Sequence, residues 1–389
     1  MNNNGRNYDS YNPQRTENRP YTPDGGGKKP HKKRRVRVHF TKDGLIALAE
    51  LLLIILVVAL VIILIIKGIT ARNKKPSETT TSATTTVTTP EEKPKWTAGF
   101  TTANIDTASF REGNLVLVNS ENEYIFPSKM QSKLTSLYDI MIKNRVFSLR
   151  DSGMEISRTI ANQLVRLCED MIAANPETLG EYKSSDGTTV SDKILISSGY
   201  RTKEYQQSLY ENSLKDESDD VLVARAGFSE HHTGLAIDIK IFTGAGKTVD
   251  LRTGEYIWMT ENCHKYGFVR RYDEDKFDLT GISGEEWHFR FVDIPHAQVM
   301  KEKEMCLEEY LAYIKTCTPD TAPLEVGTDR GDFLIYYVPA DKLSDITYVP
   351  VPKDAKKITD SFASTDKIES GMYTVSGDNA GGFIITLAK

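Results

Sequence analysis

Cysteine is scarce in this chain of 389 residues: there are four, and no two stand at a C-x-x-C spacing. That excludes a disulfide-scaffold mini-protein, a zinc finger and a thioredoxin-type redox motif. Apolar residues (AVILMFWYC) make up only 39%, somewhat low for a chain that packs throughout, so part of the length contributes no core. Positive charge is also short outside the N-terminus. Residues 1–43 carry 11 basic and four acidic side chains, a net +7, so the remainder carries −12 within a total of −5. A mildly acidic body excludes nucleic acid as the main partner, because phosphate binding needs a basic surface. The length allows two to three domains of roughly 100–200 residues each.

Asn, Gly, Pro and charge dominate residues 1–43, with too few aliphatics to offset the entropy of ordering, and this stretch reads as a disordered tail. It ends in a basic run: Lys28, Lys29, Lys32, Lys33, Arg34, Arg35, Arg37 and Lys42. Such a run also suits nuclear localisation or nucleic acid, but a long apolar segment follows at once. Leu51 to Ile66 is sixteen unbroken apolar residues, and only Glu50 interrupts the pattern back to Leu45. About 20 residues at 1.5 Å each cross a bilayer core, and residues 44–69 supply them. A buried soluble helix would keep some polar face, and 51–66 has none. Glu50 is costly at mid-membrane, but it falls at the basic end, near the inner interface. Eight basic residues precede the span and four follow it closely (Lys67, Arg72, Lys74, Lys75). The positive-inside rule therefore puts the N-terminus in the cytoplasm and the rest outside. A cleavable signal peptide would have a shorter apolar region and a small-residue cleavage site, so an uncleaved single-pass anchor in the plasma membrane is expected. Residues 70–95, rich in Thr and Pro, read as a stalk.

Globular patterning begins near Trp96. Short strands are expected at Asn114–Asn119, Lys193–Ser197, Gly234–Phe242 and Trp287–Val292. Helices are expected at Ile156–Asn175, Lys203–Leu214, Gly254–Tyr266 and, charged and amphipathic, Ala297–Thr316. Along Gly234–Phe242, Leu235, Ile237, Ile239 and Ile241 share one face, and Ala236, Asp238 and Lys240 the other. Strands and helices mix without regular βαβ alternation, which favours an α+β fold over a doubly wound sheet. Pro319 and Pro323 mark a boundary. Beyond it, residues 319–389 read as a small β module or an add-on to the main domain, with no His or Cys and no catalytic signature.

Three segments hold the chemistry: Ser197-Ser198-Gly199-Tyr200-Arg201-Thr202, then Ser229-Glu230-His231-His232-Thr233-Gly234-Leu235-Ala236-Ile237-Asp238, then Glu285-Glu286-Trp287-His288. Each is weak alone, since a lone His is more often structural than a ligand. Together they are a sensible inventory. Two His and a carboxylate can hold Zn²⁺ and leave a fourth position for water. A free Glu beside the second His suits a general base, and an Arg offsets oxyanion charge. His231, seven residues before Asp238, would face the opposite side of a continuous strand. It must come from the preceding loop, with Gly234 allowing the bend. Glu285 and His288, three apart, share a face only on a turn or helix. Trp287 reads equally as packing behind the site or as plain core.

These segments resemble the zinc D-alanyl-D-alanine carboxypeptidases of the VanY type, relatives of the VanX dipeptidases. Members show S-G-Y-R, then S-x-H-x-x-G-x-A-x-D, then E-x-W-H. This sequence matches all three in order, with similarity over roughly residues 112–300 that includes Tyr266-Gly267-Phe268-Val269-Arg270-Arg271-Tyr272. The resemblance implies a small antiparallel sheet with flanking helices (the D-Ala-D-Ala carboxypeptidase, hedgehog-like fold) over residues 96–318. It implies one Zn²⁺ per chain, held by His231, Asp238 and His288. Glu285 would be the general base and proton shuttle, and Arg201 would stabilise the transition state. Ser198, Gln207 and Ser229 would lie on the substrate side. His232 stands where many relatives have Gln, and Glu286 where many have Pro. Only His231 keeps the seven-residue offset to Asp238, and only Glu285 the three-residue offset to His288. His264 reads as a substrate contact or, more commonly for such a residue, as a structural His. Arg270 and Arg271 are candidates for the substrate's terminal carboxylate.

The expected function is removal of the C-terminal D-alanine from peptidoglycan stem peptides outside the cell, by an enzyme anchored in the lipid bilayer through residues 44–69. An L,D-carboxypeptidase, a D,D-dipeptidase or a wall endopeptidase of the same superfamily is the alternative. A non-catalytic zinc-stabilised wall-binding module is the third reading. Outside the membrane, Cys168, Cys263, Cys306 and Cys317 have three pairings open to them, Cys306 with Cys317 being nearest in sequence, or remain buried free thiols.

Overall fold

In a computed structural model, which describes residues 99–389 except 180, 181, 184–188, 191, 216–222, 244–246, 250, 253 and 321, the strand Ala236–Phe242 runs through the middle of a six-stranded sheet. The order across the sheet is Phe268–Arg270, His288–Phe291, Ala236–Phe242, Lys193–Ser198, Ser148–Leu149, with Thr248–Val249 paired to the far end of Ala236–Phe242. The expectation of an antiparallel sheet needs correction. Ser148–Leu149 runs parallel to Lys193–Ser198, so the sheet is mixed. The helix Arg158–Ala174 lies between those two strands in sequence and returns the chain in the same direction.

Helix Arg158–Ala174 forms because Ser157 caps it, accepting from the Thr159 amide, and because Ile160, Leu164, Leu167, Cys168 and Met171 fall on one side at helical spacing. That side packs against Ile194, Ile196, Ile237, Ile239, Ile241, Phe289 and Phe291 of the sheet. Each such fully buried side chain contributes about 1.5–3 kcal/mol before ordering entropy is subtracted. The Asn175 side chain closes the helix on the Met171 carbonyl. The apolar face read from Ile237, Ile239 and Ile241 thus points into this core, and Asp238 points the other way.

Three expected elements are absent or broken. Asn114–Asn119 is irregular although Leu115, Val116, Leu117 and Val118 are buried. In place of a ladder, the Arg290 guanidinium donates to the carbonyls of Asn114 and Val116, the Leu115 amide donates to Ser376 Oγ, and the Leu117 amide to the Asp378 carbonyl. Ala297–Thr316 is two helices, Ile294–Lys303 and Leu307–Ile314. Glu304 takes a left-handed conformation (φ 52°), and the Glu309 carboxylate accepts from the Cys306 amide to start the second helix. The expected Gly254–Tyr266 helix is likewise divided into the 3₁₀ turns Gly254–Tyr256 and Cys263–Tyr266 around Ile257–Asn262.

All described residues belong to one unit, Glu91–Lys389. Its C-terminal part forms a five-stranded sheet in the order Leu324–Thr328, Gly331–Pro339, Gly382–Ala388, Met372–Gly377, Lys356–Lys357, while Ile346–Pro352 pairs with Phe100–Asp106. These strands share a core with the rest: Phe333, Ile335 and Ile384 pack with Leu115, Leu307, Tyr310 and Leu311. Asp293 ties the two parts together, since its carboxylate accepts from the amides of Ile294, Phe362 and Ala363. All four cysteines are free thiols, so the Cys306–Cys317 pairing is not formed. Among the described residues no helix is long and apolar enough to cross a membrane. The expected tail, span and stalk lie outside the described residues.

Candidate metal centre

The sheet register sets the site. Asp238 pairs with His288 on one side and with Ser198 on the other, across an irregularity between Ile196 and Ser198. His231 comes from the 3₁₀ turn Glu230–Thr233 ahead of the strand, where Ser229 Oγ accepts from its amide. Gly234 ends that turn at φ 70°, a left-handed conformation that favours glycine. A Cβ there would lie 3.0 Å from Leu134 Cδ2 and 3.1 Å from the Ser157 amide.

The side chains of His231, Asp238 and His288 converge, each offering an atom within 4.8 Å of the others. Each already uses its outer atom. His231 Nδ1 donates to the Gly199 carbonyl at 2.7 Å, so Nε2 carries the lone pair. Asp238 Oδ2 accepts from Arg201 Nη2 at 3.0 Å. His288 Nε2 bonds Glu230 Oε2 at 3.1 Å, which leaves Nδ1 facing inward. Asp238 Oδ1 is buried with no hydrogen bond, 3.3 Å from His231 Nε2 and 3.2 Å from His288 Nδ1. Burial pushes the His231 pKa down to about 4, so that imidazole stays neutral. Burial opposes charge on His288 as well, but the Asp238 and Glu230 carboxylates beside its two ring nitrogens outweigh that and push its pKa up to about 9. Two imidazole nitrogens and one orphaned carboxylate oxygen, with every outer atom tied down, fit a divalent cation such as zinc.

The cavity over these atoms is about 410 Å³ and is also lined by Arg201, Gln206, Tyr272, Glu285 and Trp287. Glu285 Oε2 is 3.6 Å from His288 Nδ1. Burial raises the Glu285 pKa, Asp238 and Glu230 add to this, and His288 and Arg201 oppose it. Arg201 is held by Ser198 Oγ (2.8 Å from Nε), Gln206 Oε1 (3.3 Å from Nη1) and Asp238. The site therefore combines a cation cradle, a carboxyl with raised proton affinity and a guanidinium.

Over 279 residues the chain is 30% identical to a D-alanyl-D-alanine carboxypeptidase of Enterococcus faecium, an overlap of 71% of this chain and 75% of that protein. The VanY family model, described as D-alanyl-D-alanine carboxypeptidase, matches residues 168–294. This chain belongs to the VanY carboxypeptidase family. It is also 38% identical over 138 residues to the bifunctional D-Ala-D-Ala dipeptidase and carboxypeptidase VanXYC of Enterococcus gallinarum, covering 33% of this chain and 70% of that one. Among solved structures it resembles the vancomycin-resistance D,D-dipeptidase VanXYg bound to a D-Ala-D-Ala phosphinate analog. The TM-score is 0.57 at 30% identity, covering 75% of this chain and 99% of that chain.

Within this family member, the readings of Gln207, Arg270 and Arg271 need correction, while those of His232 and Glu286 as neither ligand nor base hold. Gln207 is exposed and donates to Glu211. The glutamine at the site is Gln206, because the helix starts at its Thr202 cap and turns residue 206 inward. Arg271 is wholly buried between Glu230 and Glu308, and Arg270 pairs with Asp273, so neither faces the cavity as a carboxylate anchor. His232 accepts from the Gly227 amide and donates to the Arg201 carbonyl, leaving no nitrogen for a metal. Glu286 pairs with Arg252. Trp287 lines the cavity with the Lys240 ammonium 4.6 Å above its ring, so it is a wall residue rather than core. His264 lies in the Cys263–Tyr266 turn and does not line the cavity. Glu230, Gln206, Tyr272 and Arg290 were missed. Glu230 stands next to His231 within the second segment, but nothing in a Ser-Glu-His-His string shows that its carboxylate turns into the protein.

Proposed function

We propose that this chain is a zinc-dependent D,D-carboxypeptidase that removes the C-terminal D-alanine from peptidoglycan stem peptides. The observation that carries this is the set of three inward-facing donor atoms beside Glu285 and Arg201 on one cavity. His231, Asp238 and His288 would hold the ion, one per chain. Bound there, zinc supplies Lewis-acid polarisation of the scissile carbonyl and acidifies a water. Glu285 accepts the proton of the attacking water, aided by its raised proton affinity. It then returns a proton to the departing amine of D-alanine. Arg201, fixed by Ser198, Gln206 and Asp238, presents a guanidinium to the developing oxyanion. It is the only Lys or Arg among the described residues lining the cavity. Ser229 lines the same cavity on the substrate side and also holds the turn that bears His231.

The anchor reading belongs to the same proposal. Residues 44–69 would cross the plasma membrane, with the basic tail inside and the enzymatic unit outside facing the wall. Dipeptidase activity is the second reading, because the relative of matching fold is named a D,D-dipeptidase. A substrate panel separates the readings. The protein is incubated with a stem pentapeptide ending D-Ala-D-Ala, the corresponding tetrapeptide, a cross-linked dimer and free D-Ala-D-Ala, and products are identified by mass spectrometry. Preferred loss of one alanine from the pentapeptide supports the proposal, and preferred cleavage of any other member overturns it in favour of that specificity.

A further inference from the structure

We propose that Glu230 is the positioning residue of the metal centre, clamped by two buried arginines so that it fixes which nitrogen of His288 faces the ion. The inference rests on the reading that His231, Asp238 and His288 hold the metal. Glu230 is 1% exposed, and a carboxylate there must be paired to be tolerated. Its two oxygens are divided between different tasks. Oε1 accepts from Arg271 Nε at 3.1 Å and from Arg290 Nη1 at 2.9 Å. Oε2 meets His288 Nε2 alone at 3.1 Å.

The arginines are themselves held from outside. Arg271 grips Glu308 with both terminal nitrogens at 2.8 and 3.1 Å. Arg290 donates to the carbonyls of Asn114 and Val116 at 3.0 and 2.9 Å and to that of Phe291 at 3.1 Å. The Glu230 carboxylate is therefore held at both oxygens by partners that are themselves anchored. On its other side the His288 ring is packed by Tyr272, 4.9 Å away between centroids, and Tyr272 is held in a left-handed conformation (φ 65°).

A cluster serving the fold alone would not need His288. Glu230, Glu308, Arg271 and Arg290 are two negative and two positive charges, already neutral together. The second oxygen of Glu230 is instead spent on an imidazole. Its effect is to keep the proton on Nε2 and present Nδ1 to the ion. Through Glu308 and the irregular 114–116 segment, parts of the chain remote from the motifs then support the metal centre.

The test uses the full chain, zinc-loaded in detergent micelles, with ¹⁵N-labelled histidine. In the wild type His288 should show a metal-bound Nδ1 and a slowly exchanging, hydrogen-bonded Nε2 proton. Glu230→Asp keeps the charge opposite both arginines but is one methylene shorter, so it withdraws from His288. Zinc affinity, measured by chelator competition, should fall about 10- to 100-fold. The His288 Nε2 proton should become fast-exchanging, while the His231 Nδ1 proton, bonded to the Gly199 carbonyl, is unchanged. Coordination through Nε2 in the wild type overturns the proposal, and this spectrum decides the matter alone if Glu230→Asp fails to fold. Wild-type zinc affinity (within twofold) in a folded Glu230→Asp overturns it too. If the wild type binds no zinc at these histidines, the metal reading itself fails, a result distinct from either.

Discussion

Replacing Glu285 with Gln should separate chemistry from metal binding. Glu285 shares the cavity with the three donor atoms, and Oε2 lies 3.6 Å from His288 Nδ1. Its amide donates to the Tyr272 carbonyl at 2.8 Å, a contact that the substitution leaves in place. Glutamine matches its shape but accepts no proton. Loss of a general base costs about 10²–10⁴-fold in kcat, roughly 2.7–5.4 kcal/mol at 1.36 kcal/mol per tenfold. Stability should move the other way. The Glu285 pKa is raised above its ordinary 4.5 by burial, with Asp238 and Glu230 adding to it. The folded state thus binds more protons than the unfolded state just above pH 4.5, and stability falls as pH rises through that window. Glutamine removes this loss. The metal-free variant should melt at or above the wild-type temperature at pH 7 and lose less stability between pH 4.5 and 7. Zinc content by emission spectroscopy, calorimetry of both metal-free proteins and quantified D-alanine release read the three effects. Turnover within threefold of wild type would refute the base assignment, and loss of zinc together with turnover would make Glu285 a ligand instead.

Two further predictions concern residues away from the ion. Gln206→Ala removes a partner of Arg201 and should lower kcat about tenfold, whereas Gln207→Ala, on the exposed side of the same helix, should leave kinetics unchanged; equal effects would contradict the helix placement. His296 is buried between the Tyr310 hydroxyl and Thr386 Oγ1, and burial pushes its pKa down from 6.5 to about 3. The unfolded state therefore binds the extra proton between those values, and stability should fall as pH drops from 6.5 toward 3, by up to roughly 4–5 kcal/mol. Denaturant titrations of His296→Gln should show a shallower pH dependence there, and an unaltered slope would contradict the assignment.

The sequence was most informative where chemistry and spacing coincide. The seven-residue offset from His231 to Asp238 required a turn before the strand, and that turn is present as Glu230–Thr233 closed by Gly234. The three-residue offset from Glu285 to His288 required a turn, and the His288 amide indeed reaches back to the Glu285 carbonyl. What could not be read were partnerships between distant segments. Asn114–Asn119 has strand composition, yet Arg290, 174 residues or more away, takes its carbonyls. Arg271 looks like a free cation beside the site until Glu230 and Glu308 are seen to enclose it. The break between Ile294–Lys303 and Leu307–Ile314 depends on a left-handed Glu304, a conformation that no residue there advertises. That Gln206 rather than the expected Gln207 turns inward is a matter of one residue of helix phase, set by the Thr202 cap.

The central claim is that this VanY-family chain hydrolyses the terminal D-Ala-D-Ala bond of a stem peptide with an ion held by His231, Asp238 and His288. The most direct measurement is mass spectrometry of a pentapeptide ending D-Ala-D-Ala, incubated with the protein as prepared, after chelator dialysis, and after zinc is restored. Release of a single alanine that disappears with the chelator and returns with zinc is the predicted result. Full cleavage by chelated protein, or an intact pentapeptide with zinc bound at one per chain, would contradict it.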